Sequence, residues 1–218
     1  IDEAIKLASK SNRGFSYGLI GATTRNEISS DVDLGGNPTD NTYGVFRMKQ
    51  DFFDGNSFIG FLATKFDGIR GKYDRIDLTN EYFRSEPKSA SSYSIDGVLN
   101  YLDNRFNLDF QFAQTEVSSI GTGSSVEINY DINRFWSVGL DFEDIDKNFN
   151  NNDVGYIMRN DIKKNQFLIG YQNLELGPDS RLQQWSSSLV FLKAYNKSQD
   201  MLISDKLSFN LNFVMSNQ

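Results

Sequence analysis

The sequence contains no cysteine and no histidine. The first absence excludes disulfides, thiolate metal sites and a cysteine nucleophile. The second removes serine-histidine-aspartate triads, histidine-ligated zinc and the commonest general base. Only 3 of 218 residues are proline. No run approaches the roughly 20 apolar residues that a transmembrane helix needs. Basic charge is also scarce: 22 Lys and Arg stand against 29 Asp and Glu, a net charge of −7 and a pI near 4.7. That balance excludes nucleic acid as a partner, because displacing counterions from phosphate takes a basic face. The residues Ile1-Asp2-Glu3-Ala4 do not form a signal peptide, which leaves location open.

Aromatic residues, in contrast, are plentiful: 18 Phe, 10 Tyr and 2 Trp, in a chain whose mean hydropathy is only −0.48. Their spacing is informative. Phe106, Leu108, Phe110 and Phe112 alternate with Asn107, Asp109 and Gln111, and Leu207, Phe209, Leu211 and Phe213 alternate with Ser208, Asn210 and Asn212. A period of two puts such residues on one face of a pleated strand, which no helix can do. Repeating the exercise gives eleven strands, over residues 4–11, 14–24, 42–51, 56–66, 91–102, 105–116, 124–131, 134–143, 163–173, 182–195 and 205–216. Ala4, Ile5 and Ala8 would also fit a helix. Pro38, Pro87 and Pro178 fall between the strands, as a residue with no N–H to donate should.

The connections between these strands alternate in length. Short turns are expected at Ser11–Gly14, Phe53–Gly55, Leu102–Asn104, Ile132–Asn133 and Gly177–Asp179. Longer segments are expected at Arg25–Asn41, Asp67–Ala90, Val117–Gly123, Glu143–Ile162 and Asn196–Ser204. A meander with two unlike ends is the layout of a membrane barrel. Uncharged windows such as Gly14–Thr24, Gly55–Thr64, Val117–Val126, Asn165–Leu174 and Leu182–Leu192 match the roughly 9–11 residues a tilted strand needs to cross a bilayer. Phe15, Tyr17, Phe52, Phe53, Tyr101, Phe106, Tyr130, Phe135, Trp136, Tyr171 and Trp185 cluster near strand ends, where interfacial girdles place their rings. The fold expected is all-β: an antiparallel up-and-down meander forming all or part of a transmembrane β-barrel. Phe106, Leu108, Phe110, Phe112, Leu207, Phe209, Leu211 and Phe213 should face lipid, with Asp96, Asp109, Asn129 and Asn210 facing inward.

The segment Phe142–Ile162, FEDIDKNFNNNDVGYIMRNDI, resembles a loop of outer-membrane barrels, mostly from Bacteroidetes, that carry a carbohydrate-binding family 9-like domain ahead of the barrel. Asn148-Phe149-Asn150 and Val154-Gly155-Tyr156-Ile157-Met158-Arg159-Asn160-Asp161 follow the family's pattern D-F-N-P-E-V-G-F-V-x-R-x-D. Asn151-Asn152-Asp153 replace its Pro-Glu, with one residue inserted. Arg47–Asp51, Asn56–Gly60 and Ser16–Ile20 are also similar to the family's hairpins. The resemblance implies a bacterial outer-membrane location, a lipid bilayer and lipopolysaccharide as surroundings, protein partners in an outer-membrane complex and a link to glycans. The odd strand count and the absence of a terminal aromatic in Ser216-Asn217-Gln218 predict that residues 1–218 are a single barrel domain belonging to a larger barrel protein.

Chemistry is hard to find. Asp141, Glu143, Asp144, Asp146, Asn148 and Asn150 to Asp153 form an acidic stretch, and Asp144-x-Asp146-x-Asn148 begins like a calcium loop. Phe149 then stands where the sharp turn needs glycine and Gly155 where a bidentate Glu is needed. A solvated acidic loop is one reading and loop calcium the other. Asp96 and Asp109 could act as acid and base, but lumenal carboxylates more often pair with cations, and Arg47, Lys49, Lys163 and Lys164 are the candidate partners. Gly121-Thr122-Gly123-Ser124-Ser125 lacks the lysine of a phosphate loop and reads as a flexible connection. Asn196-Lys197-Ser198 is a chance match to a glycosylation acceptor. The expectation is therefore a non-enzyme with no catalytic residue, metal site or cofactor, acting in transport, anchoring or scaffolding. The rivals are a soluble all-β glycan-binding module and a secreted enzyme on a β scaffold.

Overall fold

The computed structural model describes residues 1–25, 40–75, 81–150, 159–173 and 182–215. Among these residues eleven strands follow one another: β1 (Glu3–Lys10), β2 (Phe15–Arg25), β3 (Asp40–Phe52), β4 (Ser57–Arg75), β5 (Glu81–Tyr101), β6 (Phe106–Glu116), β7 (Ile120–Asp131), β8 (Trp136–Ile145), β9 (Ile162–Asn173), β10 (Leu182–Asn196) and β11 (Met201–Met215). They form one sheet in sequence order, each antiparallel to the next. The fold is thus an all-β antiparallel up-and-down meander. Among the described residues β1 and β11 each have a single neighbour, and an odd count makes them parallel to one another. Among the described residues the only helical piece is a 3-10 turn, Phe53–Gly55, and no described helix is long and apolar enough to cross a membrane.

Alternation along each strand and pairing between strands combine to give the sheet two unlike faces. Phe106, Leu108 and Phe110 stand opposite Tyr101, Leu99 and Gly97 on one side and Tyr130, Ile128 and Val126 on the other. The same face continues through Trp136, Val138 and Leu140 to Tyr171, Ile169 and Phe167, and on to Leu189, Phe209 and Leu211. Asp96, Asp109, Asn129 and Asn210 fall on the opposite face, so the alternation read from the sequence is the alternation of the sheet.

The apolar face is not covered. Phe209 is 66% exposed, Leu207 65% and Ile5 71%. Among the described residues the buried apolar side chains are only Phe66, Ala90, Phe149 and Ala194. The sheet is held by its backbone ladder and by cross-strand contacts such as Phe110 lying over Gly97, where an added Cβ would come within 2.6 Å of the ring.

Three boundary expectations change. Residues 67–90 are not simply a long connection: β4 and β5 continue as a hairpin paired as far as Arg75↔Glu81. Pro87 therefore lies inside β5, opposite Ile69. It is tolerated because β5 pairs with β6 only from Ser91 onward, so one side of the strand is unpaired at Pro87. Second, Gly121-Thr122-Gly123 belongs to β7 and the β6–β7 connection shrinks to 117–119, so the window Val117–Val126 spans a turn and part of one strand. Third, 197–200 forms a short turn, because β11 starts at Met201. The strict alternation of short and long connections is therefore broken at three places on the long-loop end, between β4 and β5, β6 and β7, and β10 and β11. The first strand, for which a helix was an alternative, is β1. Pro38 and Pro178 lie outside the described residues.

Candidate functional site

The polar face is crossed by ion pairs that follow the strand order. Arg47 on β3 reaches over β4 to make a two-pronged contact with Asp96 on β5, its Nη2 donating to Oδ2 at 2.6 Å. The residue beneath the guanidinium is Gly60, where a Cβ would stand 2.5 Å from Nη2, so only glycine leaves room for the bridge. On β3 itself Asp51 takes Lys49 at 2.8 Å, with Lys10 from β1 at 3.5 Å. On the far side Lys164 of β9 bridges Asp141 at 2.8 Å and Glu143 at 3.7 Å on β8. Polar pairs fill between them: Thr64 with Ser92 at 2.6 Å, Asn107 donating to Asn100 at 2.6 Å, and Asn129 donating to Glu127 at 2.7 Å.

At the end where β8 leaves the sheet, the following residues turn back over the polar face. Asp146 N–H donates to the Thr122 carbonyl at 2.9 Å, and Thr122 returns its own N–H and hydroxyl to the Asp146 carboxylate at 3.1 and 2.5 Å. Asn150 N–H donates to the Thr115 hydroxyl at 3.0 Å. Between these anchors the Phe149 ring, 8% exposed, lies 3.3 Å from where a Cβ on Gly123 would be. Gly121 and Gly123 are small because a segment of chain crosses them, not because the backbone must flex there.

A second set of contacts ties this segment to the β10–β11 turn. Lys197 Nζ meets Asp146 at 2.6 Å and also contacts Asp144. Its pair with Lys197 and the hydroxyl of Thr122 lower the Asp146 carboxyl to about 2, and the two carboxylates in turn raise Lys197. Asp161, just ahead of β9, accepts from the Ser198 hydroxyl at 2.7 Å, the Ser198 N–H at 2.8 Å and Asn196 at 2.7 Å, and is lowered chiefly by Ser198.

Below the Phe149 segment the polar face holds a cavity of about 600 Å³ that reaches from β4 to β9. Thr64, Ser92, Ser94 and Gln111 line its floor, and Arg159 and Lys164 its margin.

The opposite end of the sheet carries the aromatic rings. Trp136 meets Tyr171 edge-on at 4.9 Å, Tyr171 meets Trp185 at 4.8 Å, and Phe135 stacks on Tyr171 at 6.2 Å. Phe15, Tyr17, Phe52, Tyr101 and Trp136 at this end are all exposed. Counting along the same face from Trp136 leads to Asp144, and from Trp185 to Lys193, so the apolar stretch is closed by rings at one end and charges at the other.

A family model described as a domain of unknown function, DUF5916, matches residues 3–218. The chain belongs to the DUF5916 family. It matches no curated protein and no solved structure.

Several site expectations can now be placed on this DUF5916 chain. Asp96 and Asp109 do not form a reactive pair, since Asp96 is held by Arg47 and Asp109 stands opposite Val98 and Glu127. Of the four candidate cation partners, Arg47 and Lys164 bridge strands, Lys49 pairs with its own strand, and Lys163 lies on the apolar face in register with Asp144. The start of the calcium-like stretch is occupied by a lysine: Asp144 and Asp146 converge on Lys197, and no group of three or more acidic side chains among the described residues is arranged to hold a metal. Residues 151–158 of that stretch lie outside the described residues. The burial of Phe149 and the roles of Lys197, Asp161 and Arg159 were not read from the sequence. One signal for the first was available: Gly121 and Gly123 share a face of β7, which marks a close approach.

Proposed function

We propose that the chain is wall of an outer-membrane β-barrel of transport, anchoring or scaffold type, with its apolar face against lipid and its polar face lining the lumen. The observation that carries this reading is the inverted burial: long rows of Phe, Leu and Ile are exposed on one continuous face while charged residues pair on the other. A soluble sheet would cover such a face, because exposed apolar patches of this extent are not left to water. The dimensions agree. Eight positions separate Trp136 from Asp144 and Trp185 from Lys193. At about 3.3 Å per residue and a tilt near 40° that is roughly 20 Å of height, close to the ~25 Å apolar band of membrane barrels. The resemblance of residues 148–161 to a loop of carbohydrate-binding family 9-associated barrels points the same way. In such a membrane the free edges of β1 and β11 need neighbours, and a barrel with every pair antiparallel takes an odd number of further strands between them.

A chain without cysteine allows a direct test. In intact cells or vesicles a water-soluble maleimide should label Asp109→Cys and leave Phe110→Cys unlabelled until detergent is added. Labelling of Phe110→Cys with protection of Asp109→Cys would sink the assignment. One observation favours a second reading, a soluble glycan-binding module: the row of an exposed Trp136 and half-buried Tyr171 and Trp185 has the shape of a sugar platform. That reading requires solubility without detergent.

A further inference from the structure

The cavity on the polar face has features of a binding site that neither barrel architecture nor lipid contact calls for. Its volume, about 600 Å³, lies within the roughly 300–1,000 Å³ range of small-molecule sites. Its floor is built of short hydroxyl and amide side chains on three neighbouring strands: Thr64 on β4, Ser92 and Ser94 on β5, Gln111 on β6. Thr64 and Ser94 are buried, and the Thr64 and Ser92 hydroxyls are 2.6 Å apart, so one of the two protons is committed and the remaining hydrogen-bonding capacity faces the cavity. Ile145, Ile162 and Leu62 add apolar walls, and Phe149 covers one side.

The charges around it are unequal in availability. Lys164 is held by Asp141 and Glu143. Arg159 has no acidic partner among the described residues, and it stands two positions from Asp161, which is fixed to the β10–β11 turn by three hydrogen bonds. A guanidinium on an anchored backbone, at the margin of a hydroxyl-lined cavity, offers a planar fork to a carboxylate. Glu143, also in the lining, can accept from ligand hydroxyls.

We propose that this cavity binds a small polyhydroxy carboxylate, with Arg159 taking the carboxylate and the Thr64–Ser92–Ser94–Gln111 floor and Glu143 taking the hydroxyls. The proposal does not rest on the membrane reading, since the cavity lies on the polar face in either setting.

The test uses the purified full chain in detergent and calorimetric titration with three probes: gluconate, its uncharged counterpart sorbitol, and hexanoate, which keeps the carboxylate and loses the hydroxyls. Gluconate should bind saturably and at least about tenfold more tightly than either of the others. Arg159→Gln, at an exposed position that leaves the sheet intact by circular dichroism, should remove the preference over sorbitol. Ser94→Val, which changes no charge, should weaken gluconate several-fold. Equal binding of gluconate and sorbitol, undiminished binding by Arg159→Gln, hexanoate as tight as gluconate, or no saturation up to roughly 10 mM gluconate would each overturn the proposal.

Discussion

The two faces of the sheet are made from the same strands by alternate residues, yet they are organised by different physics. On the apolar face side chains meet mainly their cross-strand neighbours, as in Phe167 beside Phe191 at 6.2 Å and Trp136 beside Tyr171 at 4.9 Å, and the outward side of the face is open. On the polar face contacts reach further, with Arg47 skipping a whole strand to find Asp96 and the Phe149 segment lying across β6 and β7. The first face is therefore uniform and repetitive, and a change at one position should matter through its surroundings. The second is individual, and a change there should matter through its named partner.

The sharpest way to break that contrast is to place one charge on each face. Leu108→Arg should cost about 2–4 kcal/mol of folding stability in a bilayer, the range for arginine near the midplane of a membrane barrel. Asn129→Arg, on the opposite face two strand positions from Glu127, should cost far less. Denaturant titration of both variants refolded into vesicles measures this, and equal losses would mean that the polar face is not hydrated. Next in size is Phe149→Ala. It removes a buried ring that packs over Gly123 on the polar face, with an expected loss of about 2–3 kcal/mol for a mostly buried ring. Truncating exposed Phe209 to Ala in detergent should cost well under half of that. If the two were equal, the apolar face would be packed against protein.

A smaller effect is expected from Gly60→Val. The added side chain displaces Arg47 and should lower stability by about 1–2 kcal/mol through loss of its pair with Asp96. In a double-mutant cycle Gly60→Val should cost little extra once Asp96→Asn is present, and full additivity would remove the bridge from the account. The smallest effect concerns Lys197. The Asp146 carboxyl stands at about 2 in the folded chain, below its ordinary value near 3.9. The depressed carboxyl therefore stabilises the fold above about pH 4, and that contribution is lost as pH falls from about 4 towards 2. Both groups of the pair are about a third exposed, so solvent screening limits the contribution to about 1 kcal/mol or less. Lys197→Ala should flatten the stability profile between pH 4 and 2 by that amount, and an unchanged profile would show that Thr122 alone holds Asp146 down.

The sheet was legible in the sequence because its information is local. Alternation at Phe106–Phe112 and Leu207–Phe213 needs only neighbouring residues, and it yields both strand type and facing. The failures were all cases in which a residue answers to something distant. Pro87 reads as a breaker until one knows that β6 stops short of it. Gly121 and Gly123 read as a loop until Phe149 is laid across them. Asp144 and Asp146 read as the start of a cation site, and the cation turns out to be Lys197, some fifty residues on. The partners Arg47 and Lys164 were in the candidate set, but only the register tells which carboxylate each one meets.

The bridge from Arg47 to Asp96 bears on how the chain avoids assembling wrongly. A strand that slides by one residue exchanges its faces and is rejected at once by its surroundings. A slide by two residues restores every side chain to its proper face, so the apolar pattern cannot detect it. For β4 such a slide would bring Phe58 or Leu62 to the place of Gly60 beneath the guanidinium, and Arg47 could no longer close on Asp96. One glycine, spanned by one ion pair, thus acts as a proofreading mark for three strands, distinguishing the correct alignment from the error that hydrophobic patterning would accept.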